Sequence, residues 1–326
     1  MPAAACSASG PAPARPASPA AAGHITKTAH PPRPGNPRIG VIGSYAVRDR
    51  TVRLVEAAHA GPDGGPVAAR VLPTLVWFPA ARTGAAPGPA RGPFPLIAFA
   101  PGYLQCGDVY RPLLRTWASA GYVVAVLRFP RTNCDIGAAA DEADLVNQPG
   151  DVSYVISRLA ALSARRHGWL SGLIDQARIA VAGHSDGGDT VAAVAADTCC
   201  ADHRVAAAIV LAGAEWPPLP GRYFPPASPP MLFVQGSADP INPPGASQQL
   251  YQADTTGPRY YLDVFGAGHL TPYEGDTAQE RLVARVTTEF LDRFVAGQPA
   301  ARAAMARQAS ESRQAALVSG GRLPPA

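Results

Sequence analysis

Apolar positions in this chain first alternate with polar ones and later form short uninterrupted runs separated by amphipathic stretches. Residues 52–56 and 71–78 alternate or run apolar and are rich in β-branched and aromatic residues, a pattern typical of strands. Turn-forming residues bound both segments. We predict that they form antiparallel strands at one edge of a sheet.

From residue 96 onward, each short apolar run is followed by a loop and a stretch of helical periodicity. The runs predict strands over 96–100, 122–129, 179–182, 206–211, 231–234 and 260–265, and the periodic stretches predict helices over 109–120, 151–165, from 185 onward, 246–251 and 278–295. Apolar strands that alternate with helices indicate a mainly parallel sheet covered on both faces. The sequence therefore predicts an α/β fold.

The two ends of the chain differ from this body in composition. Residues 1–37 are mostly Ala, Pro, Ser and Gly, which bury too little apolar surface to offset the entropy of ordering, so we expect a disordered tether. The folded domain is expected to span 38–297. Residues 298–326 are expected to form a tail with some helix.

Composition and charge exclude some classes of function. The net charge of +4 is spread without a basic block, so nucleic acid is a poor candidate for a partner. No apolar run reaches the roughly 18 residues that a membrane helix requires, so we predict no transmembrane segment.

Cys6 carries the one targeting signal in the chain. It follows three alanines and precedes a serine, which resembles the end of a bacterial lipoprotein signal, but the apolar segment that should precede it is missing. Two interpretations remain open. Either the protein is secreted or attached to the cell envelope, with a lipid anchor at Cys6, or the likeness is accidental and the protein is cytoplasmic.

The motif Gly-His-Ser-Asp-Gly-Gly at 183–188 lies between a predicted strand and a predicted helix. A nucleophilic serine must stand clear of the sheet on a tight turn, and flanking glycines let the strand and helix backbones approach closely. Ser185 is therefore the candidate nucleophile. The alternative is an ordinary glycine-rich turn with a capping serine.

Asp239 and His269 each follow the end of a later predicted strand. Because the carboxyl ends of parallel strands meet at one edge of a sheet, we expect both side chains to lie near Ser185. His269 would take the proton of Ser185, and Asp239 would orient the imidazole and stabilise its charged form. Taken alone, Asp239 could be an ordinary turn residue and His269 an ordinary loop histidine. Taken together with Ser185, they predict a catalytic triad.

Acyl transfer also requires hydrogen-bond donors for an oxyanion. The backbone N–H groups of Asp186, at the start of the helix, and of Tyr103, in a glycine loop after the strand 96–100, are the candidates. The alternative for Tyr103 is a plain turn with a core tyrosine. Trp216, Tyr223 and Phe224 follow another strand at the same edge, and they either line a substrate pocket or fix their loop to the core.

These motifs together resemble the α/β-hydrolase superfamily over about residues 45–296. The likeness is closest to bacterial dienelactone-hydrolase-like and platelet-activating-factor-acetylhydrolase-like esterases and to cutinase-type polyester hydrolases. It is carried by Arg-Val-Leu-Pro-Thr-Leu-Val-Trp-Phe-Pro (70–79), Pro-Gly-Tyr (101–103), Asn-Gln-Pro-Gly-Asp-Val-Ser (147–153), the serine motif and Gly-Ala-Gly-His (266–269). The resemblance implies oxyanion donors at Tyr103 and Asp186. This chain differs from the polyester hydrolases that it resembles at Asp186, where they carry an apolar residue.

Metal and nucleotide motifs are not found in the sequence. It has no His-x-His or His-Glu-x-x-His spacing, no phosphate-binding loop and no dinucleotide fingerprint, so we predict no metal and no cofactor. The acidic run at 135–144 lacks calcium-ligand spacing and is expected to be a solvated loop. Cys106 and Cys134 follow consecutive strands and are predicted to form a disulfide, while Cys199 and Cys200 are expected to be buried small hydrophobes.

We predict a serine hydrolase that cleaves carboxylic esters of short to medium acyl chain through an acyl-enzyme. Its substrate would be a small-molecule, lipid or polymer ester. The link 213–230 is rich in proline, which cannot continue a helix, so we expect no large cap over the site. The alternatives are a lipid or cell-envelope acyl hydrolase or acyltransferase with the same triad, and a catalytically silent envelope binding protein on a hydrolase scaffold.

Overall fold

The computed structural model describes residues 39–61, 64–81, 88–225 and 227–323. Its strands are β1 (Ala46–Glu56), β2 (His59–Ala60), β3 (Pro66–Val67), β4 (Arg70–Ala80), β5 (Phe94–Ala100), β6 (Val123–Leu127), β7 (Ile174–His184), β8 (Val205–Leu211), β9 (Met231–Gly236), β10 (Arg259–Val264) and β11 (Ala315–Ser319). Its α-helices are α1 (Arg111–Ser119), α2 (Gln148–Ser163), α3 (Asp186–Ala196), α4 (Pro244–Ala253), α5 (Ala278–Phe294) and α6 (Ala301–Ser312). Two 3₁₀ helices cover Gly137–Ala139 and Glu142–Asn147. The predicted tether 1–37, with Cys6, lies outside the described residues.

A nine-stranded mixed sheet forms the centre of the fold, in the order β1-β4-β6-β5-β7-β8-β9-β10-β11. The six strands from β6 to β10 in this order are parallel. β1 and β4 are antiparallel at one edge, and β11 is antiparallel at the other. The short strands β2 and β3 pair separately. This mostly parallel sheet flanked by helices confirms the predicted α/β-hydrolase fold class.

Two buried clusters cover the two faces of the sheet. One contains side chains of α2, α3 and α4, and the other contains side chains of α1, α5 and α6. Every residue of β5 and of β6 is buried, because strands between two helical layers have no solvent face. The uninterrupted apolar runs in the sequence have this origin.

Residues 298–323, expected to form a tail with some helix, contain α6 and an added edge strand. β11 pairs with β10 over five residues. α6 packs on the α5 side of the sheet through Met305 and Ala309, both nearly fully buried. None of the helices in the described part of the chain has the length and apolar composition that crossing a bilayer requires.

Helix α2 begins at Gln148, three residues before the predicted start. Asn147 occupies the N-cap position without capping the helix, because its amide donates to the Asp144 carboxylate. Asp151, in the first turn of the helix, accepts hydrogen bonds from Arg70. Neither side chain caps this helix.

Two loop expectations are also corrected. Asp144, placed by prediction in a solvated acidic loop, is 8 % exposed and pairs with Arg70 at 2.6 Å. Cys199 and Cys200, predicted to be buried hydrophobes, are half-buried and joined to each other by a disulfide. The predicted disulfide between Cys106 and Cys134 is present.

Candidate active site

Ser185 lies on a sharp turn between β7 and α3. Its backbone has φ 55° and ψ −125°, a strained conformation for a residue with a side chain. A Cβ at Gly183 would overlap the Gly187 carbonyl, and one at Gly187 would overlap the Ala100 carbonyl. Because only glycine allows these backbones to approach so closely, the motif holds Ser185 at the carboxyl edge of the sheet.

His269 and Asp239 lie beside this serine on the loops after β10 and β9. His269 Nε2 is 3.0 Å from Ser185 Oγ, and His269 Nδ1 is 2.7 Å from Asp239 Oδ2. Asp239 is 4 % exposed and His269 is 6 % exposed. The distances allow the Ser185 hydroxyl to donate to Nε2 while Nδ1–H donates to the carboxylate, which is the geometry of a serine–histidine–aspartate triad.

Four groups orient the Asp239 carboxylate. Besides His269, its oxygens accept hydrogen bonds from the N–H groups of Ile241 and Asn242 at 2.9 and 3.0 Å, and from Gln235 Nε2 at 3.0 Å. The Gln235 carbonyl oxygen in turn accepts from Ser247 Oγ at 2.8 Å. Gln235 was not among the residues predicted from the sequence, although a glutamine near the end of an apolar strand indicates a buried hydrogen-bonding role.

The loop after β5 places Tyr103 next to the nucleophile. A Cβ at Gly102 would stand 3.1 Å from Ser185 Cβ, so this loop lies against the turn that carries the serine. Leu104 N–H donates to the Thr132 carbonyl at 2.7 Å, and the Cys106–Cys134 disulfide joins the same two loops. The candidate oxyanion donors, the N–H groups of Tyr103 and Asp186, thus both belong to segments adjoining Ser185.

Two buried carboxyl groups lie on the first turn of α3. Asp186 is 8 % exposed, and its Oδ2 has no hydrogen-bond partner within the described ranges. Burial raises the pKa of Asp186 to about 7, and the nearby Glu142 charge adds to that rise. Burial likewise raises the pKa of Asp189 well above its ordinary value, although Asp189 accepts the Ala214 N–H at 2.5 Å. Burial of Asp186 and Asp189 therefore favours the neutral form of both carboxyl groups near Ser185.

The structure fixes the main chain of Phe224 at the C-terminal end of α3, away from Ser185. The Phe224 N–H donates to the carbonyl of Ala196, the last residue of α3, at 2.6 Å, whereas Ser185 precedes the first residue. An 11-residue helix is about 16 Å long. Both rings pack against the core cluster on the α3 side, and Tyr223 Oη accepts the Trp216 N–H at 3.4 Å. For Phe224 this placement favours the alternative in which it fixes its loop to the core, and a pocket role of Trp216 and Tyr223 stays a prediction.

Three exposed aliphatic side chains adjoin the site in sequence. Leu104, Ile241 and Leu270 are 39 %, 62 % and 39 % exposed. Each follows Tyr103, Asp239 or His269 by one or two residues. We call these three residues the apolar rim. They were not among the residues predicted from the sequence, because single exposed aliphatic residues are common in loops and carry no signal by themselves.

One cluster among the described residues has the side-chain types of a metal site: Cys106, Cys134 and Asp135. Its two sulfurs are joined in a disulfide, which removes the thiolates that a metal would bind. The candidate chemistry of the site therefore rests on Ser185, His269 and Asp239.

A family model described as PETase, PET hydrolase-like, matches residues 80–315. The matched range contains Ser185, Asp239, His269 and both candidate oxyanion donors. A search of curated proteins finds no match to the chain.

Proposed function

Because the chain belongs to the PET hydrolase-like family of α/β-hydrolase-type ester hydrolases, we propose that it is a serine hydrolase which cleaves carboxylic esters through an acyl-enzyme. The observation that carries this proposal is the continuous hydrogen-bonded series from Ser185 Oγ through His269 to Asp239, at 3.0 and 2.7 Å. An alcohol is a weak nucleophile near neutral pH, and such a series activates it.

In the proposed mechanism, Ser185 Oγ attacks the ester carbonyl while His269 Nε2 takes the hydroxyl proton. Asp239 stabilises the imidazolium that forms. The N–H groups of Tyr103 and Asp186 donate to the oxyanion, where one such donor contributes about 10²- to 10³-fold to the rate. His269 then protonates the departing alcohol. A water molecule, deprotonated by His269, then attacks the acyl carbonyl, the bond between the acyl group and Ser185 Oγ breaks, and His269 returns the proton to Ser185 Oγ as the acid leaves.

The proposed substrates are esters with short to medium acyl chains. The described residues of the link between β8 and β9 contain no helix that could form a cap. An exposed cleft buries little of a long acyl chain, and each unburied methylene forgoes about 0.8 kcal/mol. The apolar rim offers contacts to a chain that lies across the surface. A polyester presents short esters at intervals along such a chain, which agrees with the family.

We extend the proposal to the location of the protein, which we place outside the cytoplasm, either secreted or attached to the cell envelope. The Cys106–Cys134 disulfide supports this, because such bonds persist in oxidising compartments. Lipid attachment at Cys6 stays a prediction, and mass spectrometry of the protein from its native membrane fraction would test it.

Fluorophosphonate labelling with Ser185→Ala tests the proposed chemistry. Ser310, an exposed serine on α6, provides the matched control. The wild type and Ser310→Ala should bind the probe and hydrolyse p-nitrophenyl butyrate, whereas Ser185→Ala should do neither. A wild-type protein that neither binds the probe nor hydrolyses esters would instead be a silent binding protein. Preferential transfer of the acyl group to an added alcohol would identify an acyltransferase.

A further inference from the structure

We propose that Tyr110 and His184 form a positioning pair that holds the oxyanion loop, the nucleophile turn and the catalytic histidine in one fixed arrangement. The effect of this pair on catalysis rests on the proposed function. The hydrogen bonds of the pair do not depend on that function. Neither residue belongs to the triad.

His184 directly precedes Ser185 and is 1 % exposed, and Tyr110 is fully buried. His184 Nε2 lies 2.9 Å from the main-chain carbonyl oxygen of His269. On the other side of the ring, His184 Nδ1 lies 2.8 Å from Tyr110 Oη. The Gly102 N–H donates to the same phenol oxygen at 3.2 Å.

The chemistry of these groups fixes the direction of each hydrogen bond. A carbonyl oxygen only accepts, so His184 Nε2 must carry a hydrogen. The ring is neutral, because burial and the neighbouring His269 lower the pKa of His184 to about 3. His184 Nδ1 is then an acceptor, and the Tyr110 hydroxyl donates to it. Burial raises the pKa of Tyr110, so the phenol keeps the hydrogen that this arrangement requires.

The result is one path of hydrogen bonds through three loops. Gly102 precedes the candidate oxyanion donor Tyr103, His184 precedes the nucleophile, and the His269 carbonyl belongs to the candidate base itself. The His184 and His269 rings also pack with their centroids 4.7 Å apart. A shift of one loop would break this path, so the pair keeps the donors, the nucleophile and the base at fixed separations. Catalytic rates depend on such separations more steeply than substrate binding does.

The test compares Tyr110→Phe and His184→Phe with Tyr251→Phe. The first two variants keep a buried ring and lose the polar atoms. Tyr251 is a fully buried tyrosine whose hydroxyl donates to the Gly321 carbonyl at 2.9 Å, outside the path. We expect kcat to fall about tenfold or more in both path variants, with KM within about twofold of the wild type, and to stay unchanged in Tyr251→Phe.

His184→Gln separates hydrogen bonding from packing. Its amide can donate to the His269 carbonyl, so it should recover part of the kcat that His184→Phe loses. Wild-type values of kcat in both path variants, or equal losses in Gln and Phe at position 184, would overturn the proposal. Each kcat is calculated from the concentration of fluorophosphonate-reactive sites, so a loss of folded protein does not lower it.

A spectroscopic readout on the wild type does not depend on activity. In ¹⁵N-histidine NMR spectra, His184 should stay neutral with its proton on Nε2 at every pH from 5 to 8. A proton on Nδ1, or titration of His184 in that range, would overturn the positioning pair. A wild type that fails to hydrolyse esters but shows this tautomer would overturn the proposed function and leave the hydrogen-bonded pair standing.

Discussion

Asp186 places a carboxyl group one residue from the candidate nucleophile. Its main-chain N–H is a proposed oxyanion donor, so a negative charge on its side chain would oppose the negative charge that develops in the transition state. Burial resolves this conflict at low pH, because it raises the pKa of Asp186 to about 7. Below that pH the neutral form predominates, and above it the carboxylate forms.

We therefore predict that kcat/KM falls as the pH rises through about 7, and that Asp186→Asn removes this fall. Glu142 is the acidic group that raises the pKa of Asp186 further, and Asp186 in turn raises the pKa of Asp189; the substitution changes neither Glu142 nor Asp189. The measurement is kcat/KM for p-nitrophenyl butyrate from pH 5 to 9. Asp108→Asn, at an exposed site, is the control. The same fall in Asp186→Asn and wild type would place the ionising group elsewhere.

For the triad, we predict that Ser185→Ala and His269→Ala each lower kcat by about 10⁴-fold or more, and that the double variant is little worse than either. The two side chains act as one unit, so loss of either one already removes most of the rate enhancement that they provide together. Asp239→Asn should be severe but milder. Steady-state kinetics of purified variants provide the measurement. Retention of more than a tenth of the activity in Ser185→Ala would contradict the mechanism.

At this scale, sequence reasoning located residues that follow strand ends and missed those defined by distant contacts. Ser185, Asp239 and His269 could be found because parallel strands bring their carboxyl ends together. Arg70 pairs with Asp144 and Asp151, which are 74 and 81 residues away in the chain. No local pattern marks such a pair, and Asp144 was for that reason expected in solvent.

At the scale of elements, Arg70 connects β4 to α2 and to the 3₁₀ helix before it. Its guanidinium donates to the carboxylates of Asp144 and Asp151 at 2.6 to 2.7 Å, and all three residues are nearly buried. Burial raises the pKa of Asp151 to about 7 even though Arg70 opposes that rise. Without Arg70, two carboxyl groups would remain buried and uncompensated.

We predict that Arg70→Ala lowers the free energy of unfolding by about 3 to 5 kcal/mol, the usual effect of breaking a buried ion pair from one side. Arg281→Ala, which breaks an exposed pair with Asp276, should cost less than about 1 kcal/mol. Urea unfolding at pH 7.5 measures both. Equal losses of unfolding free energy in the two variants would show that burial of the ion pairs of Arg70 does not increase their contribution to stability.

The Cys106–Cys134 disulfide is the second connection between elements near the site. It closes a loop of 28 residues, for which chain entropy gives at most about 3 to 4 kcal/mol of stabilisation. We predict that the double variant Cys106→Ser/Cys134→Ser lowers both Tm and kcat, because the loop that carries Tyr103 loses its link to the loop after β6. Calorimetry and kinetics check this. Unchanged kcat with lowered Tm would limit the disulfide to stability.

The predicted elements agree best with the structure where strands are apolar throughout. β5, β6 and β9 could be found because both of their faces are buried. The first residues of β7 include Asp175 and Gln176, so they lack an apolar signal and the predicted strand began five residues late. β11 has one buried residue among its five, because it is an edge strand, and sequence analysis left it in the tail.

At the scale of the whole molecule, we propose that the candidate site is open, because the described residues of the link between β8 and β9 contain no helix that could form a cap. The loops that carry Ser185, Asp239 and His269 all follow parallel strands and therefore meet at one sheet edge. The link between β8 and β9, where a cap would be inserted, is fixed near its middle to the far end of α3 through Phe224. A link attached there and without a helix in its described residues does not form a helical cap over the serine.

This openness leads to the last prediction, which concerns acyl-chain length. We expect kcat/KM to be highest for acyl groups of about two to six carbons, because an open cleft gives longer chains little further burial. The rate should also not jump when a substrate forms micelles, since no cap has to open. A series of p-nitrophenyl esters, measured below and above the critical micelle concentration, checks both expectations.

Ile241→Ser should lower activity on a polyester film more than activity on p-nitrophenyl acetate, because a polymer chain contacts the apolar rim beyond the scissile ester. Val55→Ser, which alters an exposed aliphatic residue on β1, is the matched control and should change neither activity. A preference for acyl groups of twelve or more carbons would show that another segment covers Ser185.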